Sequence, residues 1–75
     1  MPFIRIYAYS GRDRETQIKA AEAIIKAASD AMGAPLSAFT VTYDEVDQEL
    51  WQAEVVEAII DPLKDKLLID HGEVV

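Results

Sequence analysis

The stretch PFIRIYAY, residues 2–9, decides the fold of this chain. Aliphatic side chains alternate in it with aromatic and basic ones. A period-two pattern rich in β-branched and aromatic residues predicts a β-strand over residues 3–9. The elements that follow must therefore cover one face of this strand and pair with its edge.

A helix and a second strand follow the first strand. Asp13 is placed to cap a helix over residues 14–32, and Gly33 suits the position after its last turn. A buried stripe is predicted along this helix, at Ile18, Ala21, Ile25, Ala28 and Met32. Residues 38–43 alternate again and predict the second strand. Strand, helix and strand at this spacing form a βαβ unit, whose strands should be parallel with a right-handed crossover.

The last third of the chain predicts helical structure with an interruption. Residues 48–60 carry apolar side chains at helical spacing. Asp61-Pro62 is typical of a helix start, with Asp as the N-cap and Pro at the first helical position, so a second short helix is expected over residues 62–69. Gly72 should end it and residues 73–75 should be frayed. The predicted class is α+β, with a C-terminal helical segment.

Composition limits the class of protein. The chain has 75 residues, of which 51% are hydrophobic, and it is expected to form one domain over residues 1–75. It has no cysteine and one histidine, His71, so we expect no metal site. No apolar run suffices to span a bilayer, and the N-terminus lacks the pattern of a signal peptide. We therefore expect a cytoplasmic protein that does not bind membranes.

Charge is distributed unevenly along the chain. The net charge is −7; residues 1–43 hold five basic and four acidic side chains, whereas residues 44–75 hold two basic and ten acidic ones. This balance excludes a nucleic-acid partner, because binding to phosphates needs a basic surface. The three arginines all lie within residues 5–14, where they can attract a small anion.

Pro2 is the candidate catalytic residue. If Met1 is removed, the chain begins with the secondary amine of Pro2, which is a base, whereas a peptide nitrogen is not. An α-amino group titrates near pH ~8, and burial or a nearby cation lowers its pKa. General bases work best when their pKa is near the working pH. Pro2, at the start of the predicted strand, is therefore a candidate general base for proton transfer.

An isolated βαβ unit leaves both strands as edges, so the sheet should be completed by a second copy. In a two-fold dimer the first strands pair antiparallel and form a four-stranded sheet. Residues 2–11 span roughly 30 Å when extended, so Arg12 cannot easily reach Pro2 of its own chain. The antiparallel pairing brings Arg12 of the partner near Pro2 instead. We expect a homodimer, with a hexamer as the alternative.

The order of these features resembles the 4-oxalocrotonate tautomerase family over essentially the whole chain. The resemblance rests on Pro2 before a strand, Gly11-Arg12 after it, a long helix, and Ala34-Pro35-Leu36 before a second strand. Trp51-Gln52-Ala53, Asp61-Pro62 and Leu67-Leu68-Ile69 look like the dimeric phenylpyruvate tautomerase subgroup.

The resemblance implies a function and a set of residues. It implies a cofactor-independent enol–keto tautomerase acting on a small 2-oxo acid, with Pro2 moving a proton between oxygen and carbon. Arg12 from another subunit would hold the substrate carboxylate, and Trp51 would line an apolar pocket that lowers the proline pKa. Thr40 stands where well-studied members have a second arginine, and it can donate one uncharged hydrogen bond. We therefore expect a monocarboxylate substrate, such as an aryl or alkyl 2-oxo acid.

Two alternatives to tautomerisation remain open. In a hydratase or dehalogenase relative of the same family, Pro2 would act as an acid while Glu49 or Glu54 activates water. In a non-catalytic oligomeric member, the fold would be kept without the chemistry. Retention of Met1 separates the non-catalytic alternative from the two catalytic ones. It turns the Pro2 nitrogen into an amide, which cannot act as a base or an acid.

Overall fold

The structure, a computed structural model, describes all residues from 1 to 75. It comprises two compact units, residues 1–45 and residues 46–75. The first contains β1, α1 and nearly all of β2; the second contains a helical run and a hairpin. In chain order the strands and α-helices are β1 (Phe3–Tyr9), α1 (Arg14–Met32), β2 (Thr40–Val46), α2 (Gln48–Trp51), β3 (Ile69–Asp70) and β4 (Glu73–Val74).

Strands β1 and β2 form a two-stranded parallel sheet, as predicted. The bounds of β1 are those predicted, but β2 begins two residues later than expected and ends at Val46. The cause is a 3₁₀ turn at Leu36–Ala38, which follows Pro35. Two backbone hydrogen bonds close this turn, from Ala38 N to Pro35 O at 3.0 Å and from Phe39 N to Leu36 O at 3.2 Å. The chain therefore reaches extended geometry only after Ala38.

Helix α1 has the predicted bounds and the predicted caps. The Asp13 carboxylate accepts a hydrogen bond from Thr16 N at 2.8 Å, which satisfies one of the free N–H groups of the first turn. This hydrogen bond also lowers the pKa of Asp13. At the other end Gly33 has φ 69°, in the left-handed region, and its N–H donates to Ser29 O at 3.0 Å. Local capping chemistry thus sets both ends of α1.

The apolar stripe of α1 is only partly covered. Ala21, Ile25 and Ala28 are half-buried, as expected, but Ile18 and Met32 are 47% and 62% exposed, so their predicted burial is wrong. A helix of this length is about 28 Å long, whereas strands of seven residues span about 23 Å. The excess length lies toward the C-terminal end of α1, where Met32 is exposed, whereas Ile18 faces β2 across an open cavity that no side chain fills.

The sheet carries an ion pair that joins β1 to β2. Arg5 Nε donates to Asp44 Oδ2 at 2.9 Å, and the Thr42 hydroxyl lies 3.3 Å from the same oxygen. The Arg5 guanidinium also lies 5.1 Å from the centroid of the Tyr7 ring. The hydrogen bond from Arg5 lowers the pKa of Asp44, and the same contact raises the pKa of Arg5. Arg5 and Asp44 thus form an ion pair between the two strands.

This ion pair predicts a pH dependence of stability. Because the folded state lowers the pKa of Asp44, the pair stabilises the fold above the ordinary carboxyl pKa near ~3.9, and this contribution is lost as the pH falls through the lower folded value. We expect the Asp44→Asn variant to lose less stability on acidification than the native chain. Thermal unfolding between about pH 2 and about pH 6 measures the difference. Asp30→Asn is the control, because Asp30 is an exposed carboxylate on α1 without an ion pair. Parallel acid profiles for native chain and Asp44→Asn would contradict the assignment.

The second unit begins with one continuous helical run and not with two helices. After α2, residues Gln52–Ile60 form a π-helix, and Asp61–Lys66 form a 3₁₀-helix. Asp61 has helical angles (φ −57°, ψ −44°), and its N–H donates to Val56 O five residues earlier. The prediction that Asp61 caps a new helix is therefore wrong, because an N-cap residue has extended backbone. The hydrogen-bonding pattern changes at this point, where Pro62 has no N–H to donate. Within the run Val55 is the one residue that is fully buried, at 3% exposure.

The C-terminus forms a small hairpin where a helix end and fraying were predicted. Ile69 pairs with Val74 and Asp70 with Glu73 in antiparallel register. His71 and Gly72 both have positive φ, 49° and 82°, as a type I′ turn requires. Helical structure thus ends at Lys66, three residues earlier than expected. No helix of the structure combines the length and apolar character needed to cross a membrane.

Candidate active site

Pro2 lies immediately before β1 and is held there by the neighbouring strand. Its carbonyl oxygen accepts a hydrogen bond from Thr40 N at 3.2 Å, and its side chain is half-buried. Met1 precedes it and is fully exposed. With Met1 attached, the Pro2 nitrogen is an amide and has no basicity. Removal of this exposed residue would leave a secondary amine at a backbone position that β2 has fixed.

Thr40 is the predicted site residue that the structure brings next to Pro2. It is the first residue of β2, and its backbone N–H is used in the bond to Pro2. Its side chain is exposed, so its hydroxyl is open to solvent. A hydroxyl donates one hydrogen bond and carries no charge. The pair Pro2 and Thr40 therefore combines a potential base with a neutral donor at the same end of the sheet.

Arg12 lies beyond the opposite end of β1. It is exposed, its Nη1 is 3.5 Å from Tyr9 O, and no carboxylate lies within ion-pair distance. Its carbonyl oxygen accepts from Gln17 Nε2 at 3.0 Å, which ties the turn to the start of α1. The seven residues of β1 separate the two ends by about 23 Å. Within one chain Arg12 and Pro2 are therefore not part of the same site.

Trp51 is the remaining predicted site residue and belongs to the second unit. It is the last residue of α2, where the α-helical pattern changes to the π-helix, and it is half-buried. Glu49 and Glu54, the candidates for water activation, are both exposed on the same helical run. No three His, Asp or Glu side chains come together in an arrangement that would hold a metal ion.

Comparison with known proteins now identifies the class of protein. Residues 2–59 match the family described as tautomerase enzyme. The match covers more than half of the chain and begins at Pro2, so the chain belongs to the tautomerase family. The parallel βαβ arrangement fits this family, whose members are generally oligomers. No curated protein and no solved structure shows a significant match to the chain.

Proposed function

We propose that the Met-trimmed chain is a cofactor-independent enol–keto tautomerase acting on small 2-oxo acids. The observation that carries this proposal is the position of Pro2: the family match begins at this residue, and β2 holds it at the start of β1 through the Thr40 hydrogen bond. Within the family, we propose that the chain is closest to the dimeric phenylpyruvate tautomerase subgroup of the 4-oxalocrotonate tautomerases. The order of Trp51-Gln52-Ala53 and Asp61-Pro62 supports this assignment.

The proposed reaction moves one proton through the Pro2 amine. The neutral amine takes the proton of the enol hydroxyl, the oxygen becomes the carbonyl oxygen, and the resulting ammonium returns a proton to the adjacent carbon. The enzyme ends in the state in which it began, so no oxidant or metal is required. An α-amino group with a pKa near ~8 is partly neutral at pH 7, and an apolar surrounding would increase the neutral fraction, a role that the family resemblance gives to Trp51.

Arg12 of a second copy would hold the substrate carboxylate. Arg12 has no carboxylate partner of its own, and its guanidinium can form two parallel hydrogen bonds to a carboxylate. The distance along β1 favours a partner's Arg12 over the same chain's, because antiparallel β1 strands would place opposite ends together. Thr40, which has no charge, would contact the 2-oxo end. One arginine and one hydroxyl suit a monocarboxylate better than a dicarboxylate.

Exposed surface supports the proposal that the chain works as a homodimer. The single chain exposes 5927 Å², whereas about 4,600 Å² is typical of a folded monomer of 8.3 kDa. The excess of about 1,300 Å² is larger than the ~800 Å² that each partner buries in an interface of standard size, so such an interface would account for a large part of it. Both strands of the β1–β2 sheet are also edges, which a second copy would pair.

The dimer proposal predicts a mass in solution. Sedimentation equilibrium at micromolar concentration is expected to give about twice the chain mass of 8.3 kDa. A hexamer would keep the tautomerase assignment but replace the dimeric subgroup with the hexameric one. A folded monomer that persists at high concentration would contradict a shared active site.

A substrate panel tests the proposed activity directly. Enol forms of aryl and alkyl 2-oxo monocarboxylates, with a 2-oxo dicarboxylate as the comparison, are mixed with the trimmed chain in the presence of a chelator. We expect ketonisation to be accelerated, and more strongly for the monocarboxylates. Hydration or dehalogenation of unsaturated acids in place of ketonisation would favour the lyase alternative. No acceleration of any reaction would favour a non-catalytic member of the family.

A further inference from the structure

A second concave site lies in the first unit, and neither Pro2 nor Thr40 lines it. It is a cavity of about 160 Å³ between the first two turns of α1 and the strand β2. It is lined by Arg14, Gln17, Ile18, Ala21, Val41 and Tyr43. The family resemblance gives none of these side chains a role, and the proposed tautomerase reaction does not use them.

Two hydrogen-bond donors of this cavity have no partner in the chain. The Arg14 guanidinium forms no ion pair, although acidic residues outnumber basic ones by 14 to 7. The Tyr43 hydroxyl makes no side-chain hydrogen bond, although the residue is half-buried. An arginine and a phenol without partners beside one cavity are suited to hold an oxyanion.

Acidic groups near the cavity are already engaged. Gln17 Nε2 donates to Glu45 Oε1 at 2.6 Å and to Arg12 O at 3.0 Å, which fixes the Gln17 side chain and engages one oxygen of the Glu45 carboxylate. Asp13, next to Arg14 in the chain, accepts from the helix at Thr16 N. Neither carboxylate lies within 4.0 Å of the guanidinium, so the arginine charge remains available to a ligand.

The rest of the lining is apolar. Ala21 and Val41 are half-buried, and Ile18 is 47% exposed where the helical pattern predicts burial. An apolar chain lying on these three residues would cover the end of the α1 stripe that the sheet leaves open. Apolar contact of this kind is favourable in proportion to the area removed from water.

We propose that this cavity binds a small monocarboxylate with a short branched apolar chain. The carboxylate bonds to the Arg14 guanidinium and the Tyr43 hydroxyl, and the chain lies on Ile18, Ala21 and Val41. The volume equals about five water molecules, which admits such an acid and is below the ~300 Å³ of pockets for larger ligands. Inorganic phosphate has no apolar group that could contact Ile18, Ala21 and Val41. The inference does not depend on the tautomerase proposal, because the two sites share no residue.

The test is a titration of the full-length chain with 3-methylbutanoate, followed by the backbone amide signals in NMR. We expect saturable shifts at Gln17, Ala21 and Val41, with no comparable change at Thr40 or at Phe3, the first backbone amide after Pro2. Arg14→Gln should raise the dissociation constant about tenfold, as the loss of a charge-assisted hydrogen bond implies. Tyr43→Phe should raise it severalfold. The corresponding amide, 3-methylbutanamide, and inorganic phosphate should each bind much more weakly.

A charge-matched control distinguishes binding at a specific site from nonspecific electrostatic attraction between the carboxylate and the basic side chains of α1. Lys19→Gln removes the same unit of charge from α1, where Lys19 pairs only with Glu15 at 3.3 Å, and should leave the dissociation constant unchanged. Equal effects of Arg14→Gln and Lys19→Gln would overturn the inference. Weakening by Arg12→Gln but not by Arg14→Gln would also overturn it, because the acid would then occupy the proposed active site. An absence of saturable shifts in the titration would likewise overturn the inference.

Discussion

Tautomerisation is expected to be about 100- to 10,000-fold faster in the Met-trimmed chain than in the Met-retained chain, the range that a positioned general base contributes. Met1 is fully exposed and Pro2 is held by Thr40, so the two forms should differ in the chemistry of one nitrogen and little in fold. The rate of the trimmed form should rise with pH through a pKa near or below ~8, as the secondary amine loses its proton. The measurement is ketonisation rate against pH for both forms.

The Pro2→Ala variant makes this prediction more specific. It leaves a primary amine at the same end of the chain, which is more flexible than proline, so its rate should lie between those of the trimmed and Met-retained forms. Circular dichroism and sedimentation of all three forms serve as the control that fold and assembly are unchanged. Equal rates in the trimmed and Met-retained forms would exclude proline as the base.

Replacing Arg12 by alanine is expected to reduce kcat/KM by about 10- to 150-fold, mostly through KM. This range corresponds to the loss of a charge-assisted hydrogen bond to a carboxylate, roughly 1.5–3 kcal/mol. Arg12→Lys should recover only part of the loss, because a lysine cannot bind both carboxylate oxygens in one plane. Lys19→Ala is the matched control for charge, since Lys19 lies on α1 and pairs with Glu15. Unchanged kinetics in Arg12→Ala would make Arg12 a surface residue.

Mixed dimers test whether the active site is shared between subunits. One chain carries Pro2→Ala and the other carries Arg12→Ala. If each site takes Pro2 from one chain and Arg12 from its partner, the mixed dimer contains one site with both native residues and one with neither. The mixture should then be more active than either parent dimer. If both residues of a site came from one chain, no native site would form and mixing would give no gain.

The first unit could be predicted from sequence because local chemistry determines it. Strand β1 follows from strict alternation, and α1 follows from Asp13 and Gly33, whose capping contacts the structure contains. The late start of β2 escaped prediction because alternating residues and a 3₁₀ turn overlap at Ala38. The prediction that Ile18 and Met32 are buried was wrong because periodicity identifies the apolar face of a helix but not how completely its neighbours cover that face.

The second unit was harder to predict for a different reason. Apolar spacing does not separate α-, π- and 3₁₀-helices, so the sequence pattern gives no sign of the hydrogen bond from Asp61 N to Val56 O. The hairpin did leave a signal: His71-Gly72 is a turn pair between Leu-Ile and Val-Val segments, and the positive φ angles at both residues account for it. The hairpin was not predicted because Gly72 was interpreted only as the end of a helix.

The candidate site was predicted in part. The structure brings Pro2 next to Thr40 and leaves Arg12 at the other end of β1, which is the separation expected from strand length. The role of Trp51 stays a prediction. The cavity at Arg14 and Tyr43 was not anticipated, because it depends on which polar groups lack partners, and only the packing of α1 on β2 determines that.

The hydrogen bond between Pro2 and Thr40 also bears on the order of folding events. It joins residues 38 positions apart, with all of α1 between them. Helices form within about a microsecond, whereas closing a long loop carries an entropic cost before its contacts can repay it. The N-terminal amine therefore takes its final position late, after α1 has formed and β2 has docked. On dilution from denaturant, the helical signal should return first, and catalytic activity should recover last.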